Sequence, residues 1–284
     1  MTDFLEYQFT DSEELIETFD ELPLWSASFG LLLLKHLELK PNLRILDLGS
    51  GAGFPLLELA ERFGATCKCY GLDTWKNANR RVTKKIQRYG IQNAEVVEGS
   101  AIAIPFEDHS IDLIVSNLGI NNFGEPEKVF AECARVLKKD GKLALTTNLN
   151  GHWIEFYRVF EATLLELKMD ELVPKLTLHQ EHRGNLKSIS KLFTESGFTV
   201  RREFKDEFTM RFLDGTAFLN HHFVKLGWLS GWQEFIPREH WMPVFKKLEE
   251  NLNIHAEKSG SFLLTVPVAF VEGTNVKSDV SLTA

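Results

Sequence analysis

The chain has 284 residues, of which 44% are hydrophobic and 25% charged. That usage is globular, long enough for one large domain or a domain with an elaboration, and it excludes disorder throughout. Lys and Arg number 32 against 40 Asp and Glu, a formal net charge of −8, so the broad basic footprint of nonspecific nucleic-acid binding is missing and no nucleic-acid partner is expected. Three cysteines, Cys67, Cys69 and Cys133, include no CxxC pair, which argues against a disulfide framework and a cysteine zinc site.

The start, Met-Thr-Asp-Phe-Leu-Glu, is acidic rather than basic and then apolar, so no signal peptide is expected. Leu22 to Leu39 is the most apolar stretch, but Ser26, Ser28, Lys35, His36 and Glu38 interrupt it and it falls short of a membrane span. A cytoplasmic protein is the expectation. Residues 11–20 predict a short acidic helix. A second, apolar helix starts at Pro23, covers Trp25 to Leu39 and is broken by Pro41-Asn42.

From residue 43 strands and helices alternate. Arg44–Leu48, 67–72, Ala94–Glu98, Ile111–Ser116 and Lys142–Thr147 read as strands; 54–63, 75–89 and 125–139 carry helical apolar spacing. Helices follow near 152–170 and 186–196, then a strand over 198–212, an aromatic-rich helical segment over 214–257, a last strand at Ser261–Val271 and a frayed tail. The alternation predicts an α/β fold: a doubly wound, mostly parallel, seven-stranded sheet with an N-terminal helical segment and a helical insert before the last strand. The two late strands are expected to pair antiparallel. The expected divisions are an N-terminal helical lid (1–42), a cofactor-binding core (43–150), the rest of the sheet with a helical substrate cap at about 214–257 (151–272), and a flexible tail (273–284).

The densest signal is Ile45-Leu-Asp-Leu-Gly-Ser-Gly-Ala-Gly-Phe-Pro55. A strand feeds a glycine turn, and the turn feeds a helix whose first N–H groups are free for a ligand. Asp73 closes the next strand, where a carboxylate can accept both hydroxyls of a ribose. A dinucleotide site asks for G-x-G-x-x-G, but the third glycine position here is Phe54. Asp47, two residues before the first glycine, would repel a pyrophosphate and attract an ammonium or a sulfonium. S-adenosylmethionine has one ribose, both cationic groups and no phosphate, so the charges favour it over a nicotinamide dinucleotide.

LDLGSGAG (46–53), GLD (71–73), EGSAIAIPFEDHSIDLIVSN (98–117) and ECARVLKKDGKLALTT (132–147) occur in this order. Residues 43–148 thereby resemble a class I S-adenosylmethionine-dependent methyltransferase of the small-molecule type that includes the ubiquinone and menaquinone biosynthesis enzymes. The resemblance implies a Rossmann-like fold. It also implies that Gly49, Ser50, Gly51 and Gly53 form the loop around the methionine part, with Asp47 beneath it. Asp73 would hold the ribose, Thr74 and Trp75 would flank the adenine, Ser100 and Ala101 would meet its edge, and Asn117 and Leu118 would face the sulfonium and the acceptor. S-adenosylhomocysteine would be the product.

Methyl transfer from a sulfonium needs alignment more than a base, because the leaving group is already good. The catalytic residue stays unassigned; Asn117, Asn122 and His222 are candidates. Trp25, Phe29, His222 and Trp228 are substrate candidates, since an aromatic-lined cap suits a small hydrophobic acceptor. His179-x-x-His182 has no evident third ligand, and no metal is expected. A monomer or homodimer acting on a small molecule is the reading. A non-catalytic module that keeps the cofactor site, or a nicotinamide-dependent dehydrogenase, is the alternative.

Overall fold

The computed structural model describes residues 3–18, 24–181 and 183–276. A 3-10 turn at Asp3–Glu6 precedes α1 (Glu13–Thr18) and α2 (Leu24–His36). Then come β1 (Arg44–Leu48), α3 (Leu56–Phe63), β2 (Lys68–Asp73), α4 (Lys76–Tyr89), β3 (Ala94–Glu98), β4 (Ile111–Asn117), α5 (Pro126–Val136) and β5 (Leu137–Asn148). α6 (Ile154–Glu166), α7 (Val173–Glu181), α8 (Leu186–Glu195) and β6 (Phe198–Phe212) follow. α9 (Gly215–Asn220), α10 (His222–Val224), α11 (Ser230–Phe235) and α12 (Trp241–Ser259) lead to β7 (Phe262–Asn275). Pro23 and His182, which the sequence reading used, lie outside the described residues, as do 19–20 of the acidic helix and 277–284 of the expected tail.

The seven strands make one sheet in the order β3-β2-β1-β4-β5-β7-β6. β1 pairs in parallel with β2 and β4, β2 with β3, and β4 with β5. This is the doubly wound sheet that the alternation predicts. Local chemistry explains its pieces. α3 buries Leu56, Leu59, Ala60 and Phe63 along one stripe and stops at Gly64, whose φ is +70°. α5 starts with Pro126 at its first position, where a missing N–H costs nothing, and buries Val129, Phe130, Cys133 and Val136. β4 is buried almost throughout, as a strand covered on both faces should be.

The chain divides into two compact units. Among the described residues, one comprises 11–18, 24–147, 185–205 and 268–276, the other 3–10, 148–181, 183–184 and 206–267. In the first unit Phe130, Phe193 and Phe198 meet edge to face at 5.1–6.3 Å, so α8 and the start of β6 belong with α5. That moves 185–205, expected with the later part of the chain, into the unit of the glycine loop. The second unit has its own aromatic core: Phe156 lies 4.6 Å from Trp232 and 5.1 Å from Phe218, and Phe160 lies 6.1 Å from Phe245.

Three boundaries correct the sequence reading. The helix expected over 152–170 ends at Glu166, because Lys168 turns to φ +59°, and a separate α7 follows that no apolar stripe announced. Strand β5 begins at Leu137 rather than Lys142, passing Asp140 at φ +62°. β7 runs to Asn275 and takes 273–275 out of the expected tail. Among the described residues no helix is long and apolar enough to cross a membrane.

Candidate functional site

The glycine turn sits at the carboxyl end of β1. Gly49 and Ser50 both donate their N–H to the Leu72 carbonyl, at 2.9 and 3.3 Å, which ties the turn to β2. Gly53 then donates to Ser50 and accepts from Leu57, which starts α3. Gly53 has φ +101°, and a Cβ there would stand 3.1 Å from Val82, so glycine is required for both conformation and space. Lys85 of α4 donates to the Ala52 carbonyl at 2.8 Å and braces the turn from the side.

Asp73 is the hub beside it. One carboxylate oxygen accepts the Gly51 N–H at 2.8 Å and the other the Trp75 N–H at 2.8 Å. Its backbone carbonyl accepts from Gly99 and from the Asn79 amide, so β2, β3 and α4 converge there. Trp75 is steadied from outside: its indole N–H donates to Asp11 at 2.6 Å, and Asn77 donates to the same oxygen.

Asp47 lies one strand over, opposite Gly71 of β2 and Val115 of β4. It is fully buried and neither carboxylate oxygen has a hydrogen-bond partner. Burial, and then the Asp73 charge, push its carboxyl up to about 8; the Leu56 N–H lowers it slightly from outside hydrogen-bond geometry. An unpaired buried carboxylate is costly unless a cation joins it.

A cavity of about 570 Å³ lies against the glycine turn, Asp73 and Trp75. Its lining includes Gly49, Gly51, Asp73, Thr74, Trp75, Ser100, Ala101, Asn117, Leu118 and Asn122, drawn from the ends of β1, β2, β3 and β4. Asp47, Ser50 and Gly53 are not in the lining: Asp47 is buried within β1, and the Ser50 side chain turns to Gly71, whose missing Cβ leaves it room. The Asn117 amide is committed to structure, donating to the Ser26 carbonyl of α2 at 3.0 Å and accepting from Thr146 at 2.8 Å. Leu118 takes φ +67° as the chain leaves β4.

The loop carrying Ser100 and Ala101 is fixed from α5. Arg135 donates to the Ile104 and Phe106 carbonyls, and to Glu132 and Asp108, while Glu132 accepts the Ile104 N–H. Those hydrogen bonds and charges hold Glu132 below the usual carboxylate range and raise Arg135 further.

The remaining candidates lie outside this lining. Phe29 is fully buried in α2 with Trp25 4.9 Å away, so both are packing residues there. In the other unit, Trp228 is buried against Trp153 at 4.6 Å, and His222 is exposed with its ring edge-on to Tyr7 at 5.5 Å. Sequence reasoning missed Ile102, Phe123, Glu125 and Val129, which complete the cavity wall. For Phe123 the signal was present, an aromatic directly after the two asparagines at 121–122. Among the described residues no three His, Cys, Asp or Glu side chains are grouped to hold a metal ion.

A family model described as a methyltransferase domain matches residues 46–145. Residues 46–145 are similar to a methyltransferase domain. Relatives agree along this domain. The uncharacterized methyltransferase YcgJ of Bacillus subtilis is 32% identical over 114 residues, 40% of this chain and 44% of the relative. A demethylmenaquinone methyltransferase of Lactococcus lactis is 28% identical over 205 residues, 67% of this chain and 77% of the relative. The chain spans about half the length of the first curated relatives it matches, 44% of YcgJ and 54% of a Bacillus cytotoxicus demethylmenaquinone methyltransferase. In fold, the domain and its surroundings resemble the crystal structure of YcgJ from Bacillus subtilis, with a TM-score of 0.60 at 17% identity, covering 89% of this chain and all of that one.

Proposed function

We propose that this chain is an S-adenosylmethionine-dependent methyltransferase acting on a small hydrophobic or aromatic molecule by in-line displacement. The observation that carries the reading is the Asp73 carboxylate at the rim of a glycine-lined cavity, with the buried, unpaired Asp47 carboxyl behind the lining. The Asp73 charge, joined by Asp47 when a cation draws off its proton, suits a cationic nucleoside and opposes a diphosphate. When bound, S-adenosylmethionine supplies an electrophilic methyl group on a positively charged sulfur.

In this reading Asp73 accepts the ribose hydroxyls with the lone pairs left over from Gly51 and Trp75. Gly49 and Gly51 admit the methionine portion, with Asp47 providing the compensating charge below. Thr74, Trp75, Ser100 and Ala101 frame the adenine, joined by Ile102. Asn117 holds the end of β4 through Ser26 and Thr146, a positioning role rather than proton transfer. Asn122 is left as the polar group that faces the acceptor. The acceptor supplies its own nucleophile, held in line by the cavity.

The lid at 1–42 and the cap at 214–257 are proposed to select the acceptor, in a cytoplasmic monomer or homodimer. The test is a calorimetric titration with S-adenosylmethionine, S-adenosylhomocysteine and NAD. Binding of the first two and not the third supports the reading; preference for NAD, or no binding of any, overturns it.

A further inference from the structure

β6 closes one side of the sheet: among the described residues no strand pairs with its outer edge. It runs unbroken for 15 residues, Phe198 to Phe212, with no proline and no residue at positive φ. Residues 203–207 are exposed in succession, and so on both faces of the strand. Phe204 is 39% exposed although its ring stacks on His36 at 4.1 Å. A long, regular, open edge is a template for another strand, and proteins usually blunt one with isolated charges, bulges or proline.

The charges here are ordered instead. In Arg201-Arg202-Glu203-Phe204-Lys205-Asp206-Glu207 opposite signs stand at equal distances on either side of Phe204. A second copy laid antiparallel about a twofold axis at Phe204 meets this segment charge for charge. On one face Arg201 faces Glu207 and Glu203 faces Lys205, and the symmetry repeats both pairs. On the other face Phe204 meets Phe204, flanked by Arg202 against Asp206. Arg202 already forks onto Glu272 of its own chain, so the pairs of the first face carry the specificity. Neighbouring registers fail. Centred on Glu203, Glu203 faces itself and Arg201 faces Lys205. Centred on Lys205, Lys205 faces itself and Glu203 faces Glu207. Centred on Asp206, Arg201 faces Arg211. Like charges directly opposite are destabilising.

We propose that the chain forms a homodimer through the open edge of β6, a second copy pairing antiparallel across Phe204. Of the monomer and homodimer allowed above, this selects the homodimer and gives its interface. It does not depend on the methyl-transfer reading, because it is tested with no cofactor present.

The experiment is sedimentation velocity and light scattering of the full chain from about 1 to about 100 μM. The mass should rise toward twice the 32.5 kDa of one chain. Glu203→Lys and Lys205→Glu each set like charges opposite in two places and should weaken the dimer by about 10- to 100-fold. Exchanging both residues in one chain should restore it. An equal mixture of the two single variants should associate more tightly than either alone, since every 203–205 contact in the mixed dimer is again between opposite charges. Glu203 also accepts the Ser190 hydroxyl at 2.8 Å, a bond that Lys205→Glu leaves intact. If either variant does not fold, hydrogen exchange in the unaltered chain decides: residues 201–207 should exchange more slowly at the high concentration than at the low one. A chain that stays monomeric throughout, folded single variants that dimerise undiminished, a mixture no tighter than its components, or exchange over 201–207 that ignores concentration overturns the proposal.

Discussion

Two carboxyl groups, Asp73 at the cavity and Asp47 buried behind it, each make a separate prediction. Asp73 is half-buried and already accepts two backbone N–H groups. In the proposed function its removal costs the charge-assisted bonds to a ribose, worth roughly 1.5–3 kcal/mol. Asp73→Ala should weaken S-adenosylmethionine by about 10- to 150-fold in calorimetry, and unchanged affinity in a folded variant removes the ribose role. Asp47 acts through protonation. Its folded value of about 8 lies above the ordinary 3.8. Between those values the native chain retains a proton that the unfolded chain has released, so stability falls as pH rises through the window and levels off above it. Asp47→Asn should therefore stabilise the cofactor-free chain by roughly 1–3 kcal/mol at pH 8. The gain should shrink toward pH 4, while cofactor affinity drops. Denaturant unfolding at the two pH values measures the first, and a gain that grows on acidification contradicts it.

At the scale of elements, Phe54 explains how the glycine turn and α2 are joined. A third glycine at that position would suit a diphosphate; the ring that stands there packs on α2 at Gly30, where a Cβ would lie 2.1 Å from the Phe54 ring. Gly30→Ala should destabilise by about 1–3 kcal/mol through overpacking. Phe54→Leu in the same chain should recover part of that loss, read as a coupling in a double-mutant cycle. Additive losses would mean that the ring moves aside freely. The ends of β7 and α6 show why some elements were illegible in the sequence. Glu272-Gly-Thr-Asn275 looks like a polar tail, yet Glu272 is 1% exposed because Arg202 forks onto it at 2.6 and 3.0 Å. The Asn275 amide donates to the Ala134 and Leu137 carbonyls. Those partners lie 70 to 141 residues away, beyond any local pattern. α7 escaped for a different reason: it buries Leu176 but leaves Leu178 71% exposed, so it has no stripe to read. β1, β3 and β6 were legible to the residue because short apolar or alternating runs are bounded by turn residues.

For the whole molecule, the cavity is assembled from four stretches of chain separated by strands and helices: 49–51, 72–75, 99–102 and 117–129. Parallel pairing of β1, β2, β3 and β4 brings the carboxyl ends of those strands to one edge of the sheet, the usual place for a ligand in an open α/β fold. The glycine turn and Asp73 could be read from spacing alone. Ile102 and Val129 could not, since only strand register brings them to the same wall. A single ligand in a single cavity makes a joint demand. In hydrogen exchange read by mass spectrometry, S-adenosylhomocysteine should slow exchange in peptides covering all four stretches, with one common midpoint as its concentration rises. Saturation at 100 times the dissociation constant should add about 2.7 kcal/mol to the stability of the segments that open only by losing the ligand. Protection confined to 49–51 and 72–75 would mean that the loops after β3 and β4 do not touch the cofactor. Two separate midpoints would mean two binding events, and the single-cavity reading would fail.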